Sequence, residues 1–450
     1  MMDIRNKKIS IIGAVRSGIA AARLAKKLGA IPFVSDSASK DKLQKSIEIF
    51  QSEGIDFEYG AHSERVYDCD FIITSPGVPS DSEVLLNAIK KGIKIISEVE
   101  FASWFCKGTI ISITGTNGKT TTTSLMNYTL NECGLKSYSA GNIGNAFSEI
   151  VLDINENEFV SLETSSFQLD FIDAFKPRFS VILNITPDHL DRYNNNFDEY
   201  IASKFKITKN QDESDFFIYN ADDSNITDKL ANIRAHKIGF SLTQQLNVGT
   251  YFKDGKLFFA WYGKHEEICK STDLFIKGEH NIANALSVLA IAKILNLPNK
   301  KIRNAFASFK GVEHRIEFVR ELDGVEYYND SKATNVDSVW YALKSFDKPI
   351  YLILGGKDKG NNYDQIRELV IQKVRKIYAI GSSANKIYDY FKNIVPTEYK
   401  QTIESCVEAA RMEAEPGSVV LLSPACASFD MFDNYEHRGK VFKNAVSKLK

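Results

Sequence analysis

One stretch, residues 110–123, constrains this chain more than any other. Ile110, Ile111 and Ile113 form a β-branched apolar run of the kind that makes a buried strand. The run breaks at Gly115, turns through Thr116 and Asn117, and reaches Gly118-Lys119-Thr120-Thr121, where a helix should begin. Strand, glycine-bearing loop and helix start in that order make a phosphate cradle. Backbone N–H groups and the helix N-terminus face the anion, Lys119 adds a point charge, and the Thr120 hydroxyl is placed to ligate Mg²⁺. The spacing is shorter than G-x-x-x-x-G-K-[ST], because Ile113 stands where that motif has its first glycine. The loop therefore predicts an ATP-using α/β domain of P-loop type, with an irregular loop.

At 450 residues the chain exceeds one ordinary core, so about two to four domains are expected. A net charge of −1 offers no general attraction to nucleic acid or an anionic surface. The cysteines, Cys69, Cys106, Cys133, Cys269, Cys406 and Cys426, are scattered without a C-x-x-C pair, which fits free thiols in a reducing compartment. No run approaches the ~18 apolar residues of a membrane span, and the N-terminus has no cleavable leader pattern. The expectation is a cytoplasmic protein without a membrane span.

Residues 1–105 read as a Rossmann-like domain: strand 8–12, the loop Gly13-Ala14-Val15-Arg16-Ser17-Gly18, a helix over 19–28, and strand 31–35 ending at Asp36. Val15 replaces the middle glycine that lets a backbone touch a dinucleotide pyrophosphate, which disfavours an NAD site. A nucleotide whose phosphates meet Arg16, Ser17 and the helix N-terminus fits, with Asp36 near a base or ribose. A bare scaffold without ligand is the alternative. Strand 70–74 runs into Ser75-Pro76-Gly77-Val78-Pro79, at a strand end where α/β folds place ligands.

The central domain is expected at 106–312. Gly141-Asn142-Ile143-Gly144 is a loop bearing an amide, and strand 159–162 delivers Glu163, a carboxylate of the kind that serves Mg²⁺ beside a phosphate loop, followed by Thr164-Ser165-Ser166. Strand 179–185 empties into Thr186-Pro187-Asp188-His189-Leu190-Asp191-Arg192. In a helix over 197–208, Phe197, Tyr200, Ile201, Phe205 and Thr208 make an apolar stripe, and Lys204 falls on that inward face. Lys204 either snorkels to water along its stem or is a buried lysine near the phosphate site. Residues 215–263 read as a β-rich addition with a hairpin turning at Asp254-Gly255. Asn281 and Asn284 open an apolar helix, as caps or as ligand contacts.

A linker is expected near Gly311 to Arg315, and residues 313–450 read as a third, Rossmann-like domain. Its strands end in polar loops: Asn329-Asp330-Ser331-Lys332-Ala333-Thr334-Asn335, Gly355-Gly356-Lys357-Asp358-Lys359-Gly360, and Ser423-Pro424-Ala425-Cys426-Ala427-Ser428-Phe429-Asp430.

Taken together, the 115–120 loop, Glu163 to Gln168, Asp188 to Asp191, His280-Asn281-x-x-Asn284, His314-Arg315 and Asn329 to Asn335 resemble the Mur ligase family of ATP-dependent amide-forming enzymes, over essentially the whole chain. The resemblance implies ATP, two Mg²⁺ ions, and activation of a carboxylate as an acyl phosphate that an amine attacks. It further implies Lys119, Asn142, Glu163, His189 and Lys204 as the catalytic set, with Thr120, Glu163, His189 and a carbamylated Lys204 holding metal. ATP would meet Gly115, Thr116, Asn117, Gly118, Lys119, Thr120, Thr121, Asn281, Arg315 and Asp330. Ser423 to Asp430 with Tyr435-Glu436-His437-Arg438-Gly439 resembles those members that add D-glutamate to UDP-N-acetylmuramoyl-L-alanine in peptidoglycan precursor synthesis. On that likeness Arg16, Ser17, Asp36 and Ser75 bind the UDP part, and Asn142 and Ser165 face the acyl group. Lys332, Thr334, Lys359, Ser428, Phe429 and Tyr435 surround the amino acid. A monomer without a nucleic-acid partner is expected.

Rival readings are a family member with another amino acid, a folate-polyglutamate ligase, a non-catalytic relative and an NAD-dependent oxidoreductase. A D-N-P-R-like motif, expected of the diamino-acid enzyme, is absent. A folate ligase would lack the first domain. Loss of Lys119, Glu163, His189 or Lys204 would mark a non-catalytic relative, and all are present. An oxidoreductase is opposed by Val15 and leaves the phosphate loop unexplained.

Overall fold

A computed structural model describes residues 2–142, 144–358 and 360–450. Among them the strands form three sheets, each alternating with helices as an α/β chain must. The chain divides into two compact units: 1–274 with 282–309, and 275–281 with 310–450.

The first unit holds two sheets. One is all parallel, in the spatial order Asp56–Tyr59, Ile31–Asp36, Lys8–Ile12, Phe71–Thr74, Lys94–Ser97. The central strand Lys8–Ile12 has Ile9, Ile11 and Ile12 buried, the apolar run expected of a strand covered on both faces. The order reverses on either side of that strand, so the loop after it opens at a topological switch point, beside the ends that carry Asp36 and Ser75. The helix after it is Arg16–Lys27, one turn earlier than its apolar pattern suggests. Val15 precedes it without any side-chain cap, so no polar residue marks the start.

The second sheet runs Ser137–Gly141, Phe159–Glu163, Thr109–Thr114, Phe179–Ile182, Phe216–Asn220, His236–Ser241, Val248–Lys253, Lys256–Trp261, Lys264–Lys270. It is parallel through Val248–Lys253, and the last two strands are antiparallel. The β-rich stretch thus continues the same sheet, and reaches Lys270. Strand Phe179–Ile182 stops three residues short of the expected end. Helix Phe197–Phe205 closes its last turn as a 3₁₀ segment, Lys206–Thr208. The two sheets are fastened through Glu100, whose carboxylate accepts the backbone N–H groups of Asp173, Ala174 and Phe175 as well as Trp104 Nε1.

The second unit is a sheet in the order Glu317–Leu322, Val325–Asn329, Val419–Leu422, Ile350–Gly355, Val374–Ile380, Thr397–Tyr399, antiparallel only between the first two. Apolar clusters cover both faces, one around Val339, Leu352 and Phe391, the other around Tyr327, Val407 and Phe442. Helix Glu279–Ile294, whose residues from 282 onward belong to the first unit, begins one turn before its expected start. Among the described residues no helix is long and apolar enough to cross a membrane.

Candidate active site

Three neighbouring parallel strands of the second sheet end together, and their loops carry the phosphate cradle, Glu163 and the 186–192 segment. The cradle is closed by its own polar groups. Thr116 Oγ1 donates to Thr186 O at 3.0 Å and accepts Thr186 N–H at 3.0 Å. Asn184 accepts Asn117 N–H at 2.8 Å and donates back to Asn117 O at 3.1 Å. Gly118 caps the helix Lys119–Glu132 with φ +83°, and a Cβ there would stand 2.5 Å from Asn284 Oδ1. Only glycine meets both demands. Lys119 lies folded into the loop, its Nζ donating to Gly115 O at 2.9 Å and Thr116 O at 2.7 Å. Thr121 is buried in the first turn.

Lys204 does not snorkel. It is 2% exposed, its Nζ donates to the same Gly115 carbonyl at 2.9 Å, and the ammonium lies 4.4 Å from the Tyr200 ring centroid. Burial, with the charge of Lys119 beside it, pushes its ammonium well below the usual lysine range. Glu163 is also buried. One carboxylate oxygen accepts the Thr120 hydroxyl at 2.7 Å and the other accepts Asn142 Nδ2 at 3.0 Å. His189 sits in the left-handed region at φ +52°, its ring edge-on to Phe167 and its Nε2 3.7 Å from the Asp188 carboxylate. Ser165 caps the short helix Ser166–Asp170 in a reciprocal pair with Gln168.

At the switch point of the first sheet lies a cavity of ≈ 590 Å³ lined by Arg16, Ser17, Asp36, Ser37, His62, Ser75 and Asn142 among others. Asp36 holds the glycine loop: its carboxylate oxygens accept the N–H groups of Ala14 and Ala38, each at 2.8 Å. Arg16 donates to Gly144 O at 2.8 Å and Asn142 O at 3.2 Å, tying this loop to the amide-bearing one. Arg192 donates to Gly77 O at 3.1 Å and lies over the Phe167 ring, which ties Ser75 to Pro79 to the segment bearing His189.

In the second unit, Asp330 is buried, accepting the Ser423 hydroxyl at 2.8 Å and Ile316 N–H at 3.3 Å; burial raises its carboxyl to about 7, against the charge of Arg315. Asn281 Nδ2 donates to Lys277 O at 2.8 Å. Lys332 lies with its Nζ 5.4 Å from the Tyr435 ring centroid. Tyr435 opens the helix Tyr435–Lys448, and its carbonyl accepts the Ser331 hydroxyl at 2.8 Å. Thr334 is half-buried, Ser428 buried and Phe429 exposed. Lys359 lies outside the described residues.

Arg438 organises this half-site, and its motif alone gave it no task. It is 1% exposed, and its guanidinium donates to Ser331 Oγ at 2.9 Å, Ser331 O at 2.7 Å and Cys426 O at 3.0 Å. It clamps the loop after one strand to the loop after its neighbour. His62 was likewise missed, because a lone histidine in a loop carries no spacing signal.

Comparison with known proteins accords with this geometry. Residues 8–84 match the MurD N-terminal domain, 113–292 the Mur ligase middle domain, and 314–426 the Mur ligase, glutamate ligase domain. The UDP-N-acetylmuramoylalanine–D-glutamate ligase of Chloroherpeton thalassium is 43% identical over 464 residues, covering 99% of each chain. That of Christiangramia forsetii is 44% identical over 448 residues, covering 98% of this chain and 100% of its own. The solved UDP-N-acetylmuramate-alanine ligase of Thermotoga maritima shares the fold, with a TM-score of 0.63 at 18% identity, covering 99% of this chain and 100% of that one. The MurF ligase of the same organism, in complex with ADP, has a TM-score of 0.61 at 14% identity over the full length of both. Matched in order by all three domain families, and similar end to end to relatives above 40% identity, the chain belongs to the Mur ligase family.

Proposed function

We propose a division of labour for the reaction this ligase performs. The chain is an ATP-dependent ligase that adds D-glutamate to UDP-N-acetylmuramoyl-L-alanine in peptidoglycan precursor synthesis. The terminal phosphoryl group of ATP passes to the alanine carboxylate, the amine of D-glutamate attacks the acyl phosphate, and the tetrahedral adduct collapses to amide and phosphate. Anionic partners must meet, so fixed cations and donors supply most of the assistance. Lys119 leaves its loop carbonyls for the phosphates, to which the Gly115–Thr121 backbone and helix start offer N–H groups. Asn142, held by Glu163, faces the acyl group together with Ser165.

The observation that carries this reading is Lys204. Burial and the charge of Lys119 disfavour the charged form of this amine, and the neutral form is the one that adds CO₂, losing a proton and becoming a carbamate anion. With the carboxylate of Glu163, the hydroxyl of Thr120 and the imidazole of His189, it would complete an oxygen-rich donor set suited to Mg²⁺, and the 2.7 Å approach of Thr120 to Glu163 fits such a set. Bound Mg²⁺ would neutralise the phosphate charge during transfer. In the second unit Asn281, Arg315 and Asp330 are read as ATP contacts. Lys332, Thr334, Lys359, Ser428, Phe429 and Tyr435 are read as the D-glutamate site. Arg16, Ser17, Asp36 and Ser75 hold the UDP part. The working form is taken as a cytoplasmic monomer of three domains, 1–105, 106–312 and 313–450, without a nucleic-acid partner.

Phosphate release from ATP with UDP-N-acetylmuramoyl-L-alanine should depend on D-glutamate, with L-glutamate, L-alanine and lysine near background. Preference for any of those three would overturn the amino-acid reading.

A further inference from the structure

His62 lines the ≈ 590 Å³ cavity beside Asp36 and Ser75, and the reaction as described gives it no task. Its surroundings decide which ring nitrogen carries the proton. Ser35 is fully buried, and its hydroxyl lies 2.6 Å from Glu58 Oε1 and 2.7 Å from His62 Nδ1. Glu58 also accepts the N–H of Ser63 at 2.9 Å and its hydroxyl at 2.5 Å. Burial works against the charge of Glu58, yet these donors hold its carboxyl below the usual range, so it stays ionised and can only accept. The single hydroxyl proton of Ser35 therefore goes to Glu58. Ser35 Oγ must then accept from His62, which puts the ring proton on Nδ1. Burial pushes the imidazole below its ordinary value, against the attraction of Asp36 and Glu58, so the ring is neutral. Nε2 is left as a bare lone pair, and among the described residues no protein donor is recorded for it.

We propose that His62 is a fixed hydrogen-bond acceptor of the cavity, set by Glu58 and Ser35 to read a donor on the nucleotide end of the substrate. This rests on the reading of the cavity as the UDP site. The donor is either the imide N–H of the base or a ribose hydroxyl, the groups on a uridine that an imidazole lone pair can accept from. Phosphates, which carry no donor when ionised, are excluded as its partner.

Two measurements on the full chain test this. In ¹⁵N-histidine-labelled protein, with the His62 signals identified by their loss in His62→Gln, the long-range ¹⁵N–¹H pattern should be that of the Nδ1–H tautomer. An Nε2–H pattern would overturn the proposal. Calorimetry with UDP, 3-methyl-UDP and 2′-deoxy-UDP supplies the second arm. His62→Ala should bind UDP about ten-fold more weakly, the scale of one lost hydrogen bond. The wild type should discriminate against one analogue, the 3-methyl form if the base is read and the deoxy form if the ribose is, and His62→Ala should lose that discrimination. Equal UDP affinity in both proteins, or the same analogue penalties in both, would refute the role of His62. Failure of the wild type to turn over UDP-N-acetylmuramoyl-L-alanine would instead refute the functional reading, whatever the tautomer.

Discussion

Two lysines donate to one carbonyl at the phosphate loop, Lys119 and Lys204 each 2.9 Å from Gly115 O. Lys119 is partly open at the loop, whereas Lys204 is enclosed. The physical escape for such a buried amine is to lose its charge, and carbamylation takes that a step further by reversing it. Lys204→Ala should lower kcat at least about a hundred-fold, the scale of removing one preorganised electrostatic group. Acetate or formate should restore part of it, and ¹³C-bicarbonate should give a carbamate resonance in the wild type that the variant lacks. Full activity of Lys204→Ala without additive would remove the carbamate role. Asp330 offers a test in the opposite direction. With its carboxyl raised to about 7 by burial, its folded value lies above an unfolded one near 4. Its contribution is thus fully present below about pH 4 and is lost as pH rises toward 7, by at most about 4 kcal/mol. In Asp330→Asn the urea midpoint should fall less between pH 4 and 7 than in the wild type; parallel curves would show that Asp330 does not titrate there.

Helix Arg16–Lys27 rests on strand Lys8–Ile12 through Gly18, where a Cβ would stand 1.8 Å from the carbonyl oxygen of Gly13. Gly18→Ala must therefore push the helix away from the switch point, costing about 1–3 kcal/mol as an overpacked contact does. The shifted Arg16 and Ser17 should raise KM for the UDP substrate. Unaltered thermal stability and KM together would contradict this packing. The same elements show what the chain discloses about itself. The strands 8–12, 31–35 and 159–162 were legible because each is a short, largely apolar run that ends in a polar or glycine-bearing loop, too short for a helix. The start of the helix at Arg16 was not, because Val15 leaves no capping signal. Nor was it legible that 216–270 extends the central sheet. Period and turn chemistry mark strands, but not which distant strand accepts their hydrogen bonds. The loop 115–120 and Glu163 could be read as a site from spacing alone, while Arg438 could not. A charged residue inside a mixed helix reads as solvated, and Ser331, whose hydroxyl and carbonyl it holds, lies 107 residues earlier.

On the scale of the whole molecule, chemistry is divided between the two compact units. The first carries the phosphate loop, Glu163, His189, Lys204 and the ≈ 590 Å³ cavity at the switch point of the first sheet. The second carries the Asn329–Thr334 loop and the Ser423–Phe429 loop, joined by Arg438. Kinetic constants should divide the same way. A side chain that touches only the amino acid contributes to binding that substrate, so its removal raises that KM and leaves the others in place. Ser428→Ala and Lys359→Ala should each raise KM for D-glutamate about ten-fold or more, as expected for losing a hydrogen bond to a charged carboxylate. KM for UDP-N-acetylmuramoyl-L-alanine and for ATP should stay within about two-fold. Gly18→Ala supplies the mirror image, raising KM for the UDP substrate alone. Steady-state kinetics with each substrate varied in turn decides the matter. If KM for D-glutamate is unchanged in both Ser428→Ala and Lys359→Ala, the second unit is not where the amino acid is held. If KM for the UDP substrate rises in step with that for D-glutamate, the two units do not divide the substrates between them.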